Sequence, residues 1–170
     1  MMTDNDNFHI IEADGNKRRF MPLLLIGDEA ECMIERYLDR CNLYVGFINE
    51  KAIAVCAATV VDDDTVEVKN LAVAPDFRRQ GYGRRMLEHI ELQYSGKTIV
   101  LGTGETPSTL RFYRSCGFSY SHRIPNFFTD NYPEPIVEEG TTLRDMLYLR
   151  KDNTTSPTTT DEGDTSMKWK

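Results

Sequence analysis

Long hydrophobic runs are what this 170-residue chain has least of. A run such as Met21-Pro22-Leu23-Leu24-Leu25-Ile26 is far too short to cross a bilayer. The N-terminus lacks a basic stretch followed by an apolar one, so no secretory signal is expected. The four cysteines, Cys32, Cys41, Cys56 and Cys116, stand apart without metal-ligand spacing. They are expected to be buried or half-buried free thiols of a cytoplasmic protein, and no metal is expected. No internal repeat is visible. A net charge of −7 argues against general nucleic-acid binding and mildly favours cationic partners. Hydrophobic content of 40% and charged content of 28% are those of an ordinary globular chain with one core.

Against that acidic background one basic stretch stands out. Arg78-Arg79-Gln80-Gly81-Tyr82-Gly83-Arg84-Arg85 puts four arginines and two glycines immediately before an apolar-periodic helix. Glycines one residue apart let successive N–H groups turn toward one point, and a helix start adds roughly half a positive charge. Such a device suits a diphosphate. A Walker loop would need Gly-Lys-Ser/Thr at its end, and a dinucleotide fingerprint would need a third glycine; both are missing.

The pattern along the chain predicts alternating strands and helices. Phe8 to Ala13 reads as a first strand, and Lys17 to Ile26 and Asp28 to Cys41 as two helices broken at Gly27. In the second helix Ala30, Met33, Ile34, Tyr37 and Leu38 make one apolar stripe. Leu43 to Ile48 and Ala52 to Val61 pair about a turn at Asn49-Glu50-Lys51. Thr65 to Val73 is a further strand, with Val66 and Val68 out of phase with Leu71 and Val73. Since side-chain direction has period two, one extra residue near Lys69 or Asn70, a β-bulge, would restore the phase. Such a strand leaves backbone groups to which an amide-bearing ligand can add. Met86, Leu87, Ile90 and Tyr94 line the next helix; Thr98 to Leu101 is a strand and Pro107 to Cys116 a helix with Thr106 as N-cap. Phe118 to His122 and Thr142 to Leu149 close the sheet. The order is that of a mixed α/β sheet with helices on both faces. Residues 1–7 read as a flexible N-terminus, 8–151 as the domain, and 152–170 as a disordered low-complexity tail.

The Arg78-to-Gly83 hexapeptide, together with Phe112-Tyr113-Arg114-Ser115-Cys116-Gly117-Phe118 one helix and one strand later, resembles the GNAT superfamily of N-acetyltransferases. The phosphate signature of that family is Gln/Arg-x-x-Gly-x-Gly/Ala, which this hexapeptide fits. The resemblance spans about residues 8–150. It implies a mostly antiparallel sheet with a central bulged strand, and acetyl-CoA as cosubstrate. It also implies that Arg78, Arg79, Gln80, Gly81, Tyr82, Gly83 and Arg84 hold the phosphates, while Leu71, Ala72 and Val73 take the pantetheine amides and polarise the thioester carbonyl. Glu67 corresponds to a frequent general base and Tyr113 to the acid that protonates the departing sulfur. Phe112 is then left as the aromatic packed on the sheet. Thr106 and Thr109 stand where relatives commonly carry Asn and Ala, which changes the expected pantetheine contact at Thr106.

The segment from His122 to Thr141 is longer than a hairpin requires and is rich in aromatics, proline and carboxylates. Phe127, Phe128 and Tyr132 are candidate pocket walls, and Asp130, Glu134, Glu138 and Glu139 candidate attractors of a cationic amine. The same aromatics would equally pin the loop or form a dimer contact. His122, with no partner in sequence, reads as structural. The expected reaction is direct transfer in a ternary complex to a small primary amine of an aminoglycoside, polyamine or amino-acid type. A protein N-terminus or lysine is the alternative acceptor, and a non-catalytic acyl-CoA-binding module the alternative class. A homodimer through a sheet edge is compatible with the pattern.

Overall fold

The computed structural model describes residues 7–153. The chain divides into two compact units. One holds the described residues up to Asp62 together with Val66–Tyr94; the other holds Asp63–Thr65 and the described residues from Ser95 onward. Apart from Asp152 and Asn153, the tail expected to be disordered lies outside the described residues.

The first unit opens with strand β1 (Phe8–Glu12) and a tight turn of 3-10 helix, Lys17–Phe20. Helix α1 (Met21–Gly27) follows with Pro22 in its first turn, where proline's missing N–H costs nothing. Helix α2 (Glu31–Leu38) presents the predicted stripe: Met33, Ile34, Tyr37 and Leu38 are all buried. Arg18 ties the 3-10 turn to α2 through Glu35 and Asp39. Lys17 Nζ reaches the carbonyls of Leu38 and Cys41 beyond the helix end. A cation on those carbonyls complements the negative end of the helix.

Strands β2 (Asn42–Ile48), β3 (Lys51–Asp62) and β4 (Thr65–Val73) and helix α3 (Tyr82–Gln93) complete this unit. β1 pairs antiparallel with β2, and β2 with β3. The turn between β2 and β3 is the one expected, with Asn49 at φ +54°. From Ile53 to Ala58 every residue of β3 is fully buried, as happens when both faces of a strand are covered. On one face Leu43, Val45, Val55, Ala57 and Ala72 pack with Leu24 of α1 and Ile34, Tyr37 and Leu38 of α2. On the other, Met86 of α3 lies over Gly46.

Burial along β4 alternates without interruption, the even positions from Val66 through Asn70 to Ala72 being buried. Leu71 and Val73 are half-buried on the opposite face, so they need no change of phase to leave water. Asn70, a polar residue, occupies the place the apolar pattern left blank. The apolar phase of this strand therefore carries no argument for a bulge.

The second unit holds β5 (Thr98–Gly104), α4 (Pro107–Ser115), β6 (Ser119–Ile124), α5 (Phe127–Asn131), the short hairpin β7 (Val137–Glu138) and β8 (Thr141–Thr142), and β9 (Met146–Lys151). β9 lies between β5 and β6, antiparallel to both, and buries Leu147 and Leu149. The segment read from sequence as one long connection carries its own structure. Phe128, Ile136 and Leu143 form a small separate core with Phe127, Tyr132 and Met146 packed against it. The β7–β8 turn places Glu139 at φ +51° and Gly140 at φ +75°, the two left-handed residues that a tight hairpin requires.

All four cysteines are free; Cys41, Cys56 and Cys116 are buried, but Cys32 is exposed, against expectation. Among the described residues no helix is long and apolar enough to cross a membrane.

Candidate functional site

β4 ends at Val73, and a short 3-10 turn, Pro75–Phe77, leads into the arginines. Arg79 takes φ +62° and Gly81 φ +87°, with Gln80 between them. Left-handed residues placed in this way swing the intervening N–H groups to the same side, which is how a backbone nest forms. Gly81 is the residue before α3, which has no side-chain cap and no acidic residue in its first turn. The first N–H groups of any helix have no partner within it, so an anion is the fitting occupant. Arg78, Arg79, Gln80, Gly81 and Arg84 are exposed around this point and Gly83 is half-buried.

Two members of the stretch do something else. The Tyr82 ring is buried, 4.8 Å from Phe8 and 6.4 Å from Phe77, so only its backbone belongs to the turn. The Arg85 guanidinium lies 4.4 Å from the centroid of Phe8 and 6.0 Å from that of Tyr82. It holds the helix start against β1 by a cation–π contact.

Upstream in the same unit, Glu67 Oε2 is 3.0 Å from Lys69 Nζ on the half-buried face of β4. Leu71, Ala72 and Val73 follow at the strand end, Ala72 buried and its neighbours half-buried.

In the second unit Tyr113 is the one buried residue of α4, while Phe112 is half-buried. Of the two rings, Tyr113 is the more deeply buried. The reason lies at the end of the helix. The Phe118 N–H donates to the Tyr113 carbonyl and the Gly117 N–H to the Arg114 carbonyl, both at 3.0 Å. With Gly117 at φ +94°, this is a Schellman stop, whose accompanying contact joins the residue after the glycine to the one five back. Here that contact is Phe118 on Tyr113, with ring centroids 5.8 Å apart. Lys151 Nζ donates to the Cys116 carbonyl at 2.8 Å and seals the same end.

Thr106 stands at the N-cap of α4 and is buried, but its side chain makes no capping bond. Instead Glu139 Oε2, from the β7–β8 turn, accepts the Ser108 N–H at 3.4 Å. Of the candidate acceptor residues, Phe128 is sealed in the small core, Phe127 and Tyr132 are half-buried, and Asp130 and Glu134 are exposed. The pinning role foreseen for these aromatics thus accounts for Phe128. His122 stacks on Tyr148 with centroids 4.8 Å apart and contacts Ser121.

Sequence reasoning missed Asp145, which organises this segment. Its Oδ1 accepts the Asn126 N–H at 2.9 Å and Arg144 Nε at 3.3 Å, and its Oδ2 accepts Arg123 Nη1 at 2.8 Å. Arg123 also reaches Glu105. The Asn126 N–H foremost, then the Arg123 guanidinium, hold the Asp145 carboxyl down at about 2. Nothing in its one-dimensional neighbourhood marks it, because Asn126 and Arg123 lie far upstream in the chain. A carboxyl depressed in the folded state stabilises above its unfolded value of about 4, and that contribution fades as pH falls toward the folded value. The melting-temperature gap between wild type and Asp145→Asn should therefore be widest above about pH 4 and close as pH falls toward the folded value. A gap unchanged over that range would contradict the assignment.

Among the described residues no group of three or more His, Cys, Asp or Glu could hold a metal ion. The model described as an acetyltransferase (GNAT) domain matches residues 39–120. The uncharacterized N-acetyltransferase YvbK of Bacillus subtilis (strain 168) is 31% identical over 134 residues, covering 76% of this chain and 86% of that protein. The [ribosomal protein bS18]-alanine N-acetyltransferase of Escherichia coli (strain K12) is 34% identical over 91 residues, 50% of this chain and 62% of the relative. Among solved structures, a GNAT family acetyltransferase from Elizabethkingia anophelis with acetyl-CoA bound superposes with a TM-score of 0.81. It is 34% identical, and the match covers 87% of this chain and 99% of that one.

Proposed function

The chain belongs to the GNAT family of N-acetyltransferases, and on that footing we propose that it moves the acetyl group of acetyl-CoA to the primary amine of a small cationic molecule. Acetyl-CoA as cosubstrate is supported by the acetyl-CoA-bound relative and by the turn from Arg78 to Arg84. The observation that carries the choice of acceptor is the placement of Asp130 and Glu134. Both carboxylates are exposed, on the segment that also presents the half-buried rings of Phe127 and Tyr132. Carboxylates beside aromatic faces suit an ammonium or polyammonium ligand.

In this reading the diphosphate binds at Arg78–Arg84, with Gln80, Gly81, Tyr82 and Gly83 contributing backbone. Pantetheine amides add along Leu71, Ala72 and Val73, with Thr106 as a further contact. Glu67 takes the ammonium proton, directly or through a water, and the free amine attacks the thioester carbonyl. Oxygen charge develops against the N–H groups of Leu71 to Val73. The tetrahedral species collapses with loss of the thiolate, which Tyr113 protonates, and the products are the amide and coenzyme A. The domain doing this is residues 8–151.

A second reading, acetylation of a protein N-terminus, is favoured by the name of the bS18-alanine N-acetyltransferase relative. Thiol release from acetyl-CoA separates the two across a panel of aminoglycosides, polyamines, amino acids and short peptides. Turnover of a polyamine or aminoglycoside, with KM raised by Asp130→Asn and kcat kept, is the expected result. Preference for peptides with an N-terminal alanine, insensitive to that substitution, would replace the small-amine reading with the second.

A further inference from the structure

Asn70 is the polar residue inside the apolar face of β4, with 4% of its surface exposed. Its Nδ2 donates to the Leu24 carbonyl of α1 at 2.9 Å and to Tyr37 Oη of α2 at 3.0 Å. A carbonyl only accepts, so the Leu24 bond fixes which end of the amide is nitrogen. Burial pushes the Tyr37 phenol up, which keeps it neutral. Asn70 Oδ1 is the only buried side-chain nitrogen or oxygen without a hydrogen-bond partner among the described residues.

The neighbour of that oxygen is Gly27, the last residue of α1. A Cβ built on Gly27 would lie 2.1 Å from Asn70 Oδ1 and 3.2 Å from the Leu71 carbonyl oxygen. The end of α1 therefore rests directly on the Asn70 amide and on the peptide group joining Leu71 to Ala72. Only glycine permits that approach. A buried amide with one unmet acceptor is an expensive way to fill a core position. Its presence calls for a role that packing does not supply.

We propose that Asn70 and Gly27 form a positioning pair. It fixes the rotation of the 71–72 peptide and so aims the Ala72 N–H, with its neighbours, at the thioester carbonyl. The proposal rests on the reading that Leu71 to Val73 polarise that carbonyl. Asn70 touches no substrate in this scheme; it acts through the backbone next to it. The three hydrogen-bonding elements, α1, α2 and β4, belong to one compact unit, so the Asn70 side chain is held from two helices at once.

The carbonyl stretch of acetyl-CoA labelled with carbon-13 at the carbonyl, read by infrared difference spectroscopy on the complex without acceptor, tests this. Three variants are compared with wild type: Asn70→Leu, Gly27→Ala, which keeps the amide but displaces it, and the milder Tyr37→Phe. In wild type the bound carbonyl should absorb at lower frequency than in free acetyl-CoA. In Asn70→Leu and Gly27→Ala that shift should fall by more than half, while affinity for coenzyme A, which has no carbonyl there, stays as in wild type. kcat with an amine that turns over should drop by up to about 100-fold, as expected for misplacement of about 1 Å. Variants that fold, bind and keep the full shift would overturn the positioning role. A wild-type complex with no shift would instead overturn the polarising role of Leu71 to Val73, and absence of acetyl-CoA binding would overturn the cosubstrate site. If Asn70→Leu does not fold, Gly27→Ala and Tyr37→Phe decide the matter alone.

Discussion

Replacing Tyr113 by phenylalanine should lower kcat by about 100-fold or more, the range over which a positioned acid contributes to a step with a poor leaving group. The substitution removes one oxygen and keeps the ring. The contacts with Phe112 and Phe118 are ring contacts, and the helix stop beneath them is made by the backbone, so the fold and its melting temperature should change little. Affinity for acetyl-CoA should also persist, because the assigned phosphate contacts lie elsewhere, at Arg78–Arg84. The measurement is thiol release with the best amine from the panel, alongside coenzyme A binding by calorimetry. A variant with wild-type kcat would show that water can protonate the sulfur and would leave Tyr113 as packing alone. A loss in affinity matched to the loss in rate would place it in binding instead of chemistry.

The second large effect is expected at Gly81. Alanine there must adopt φ +87°, which costs an L-residue about 1–2 kcal/mol. Because a Cβ at Gly81 would meet no atom within 4 Å, the whole cost is conformational. The turn can relieve the strain by rotating, and rotation turns the N–H groups away from the diphosphate. Acetyl-CoA KM should rise by about tenfold or more, since each 1.4 kcal/mol of lost binding is a factor of ten. kcat at saturating acetyl-CoA should stay within reach of wild type. Arg84→Ala offers the contrast: it removes charge without strain, so its effect should shrink as ionic strength rises, while that of Gly81→Ala should not. Equal salt dependence for the two would mean that the backbone of the turn contributes nothing of its own.

Legibility from sequence differs by element. The α2 stripe and the buried face of α3 are readable because an apolar residue every three or four positions marks one side of a helix turned to a core. The turn from Arg78 to Arg84 is readable because its glycines permit a left-handed residue just ahead of α3. β4 misleads, since apolar residues alone set its apparent phase while the buried face also holds Asn70. A buried polar side chain is invisible to periodicity; only its partners on α1 and α2 reveal why it is inside. The Phe-Tyr and Gly-Phe motif is found correctly from sequence, but half of its content is the stop at the end of α4. Asp145 escapes because its bonds run to Asn126 and Arg123, and ion pairs across a fold leave no local spacing to find.

The small core of Phe128, Ile136 and Leu143 bears on how such a protein can change over time. The segment that faces the acceptor in our reading is folded on its own apolar residues and moored by Asp145, so its outward positions, among them Asp130, Pro133 and Glu134, carry little of its stability. Substitutions there are close to neutral for folding while altering charge and shape toward the acceptor. A lineage could therefore explore new amines at these positions one residue at a time, without first acquiring stabilising changes elsewhere. Drift in specificity is thus open to this chain by short mutational paths, whereas at Asn70 or Gly27 a single change meets packed atoms at once.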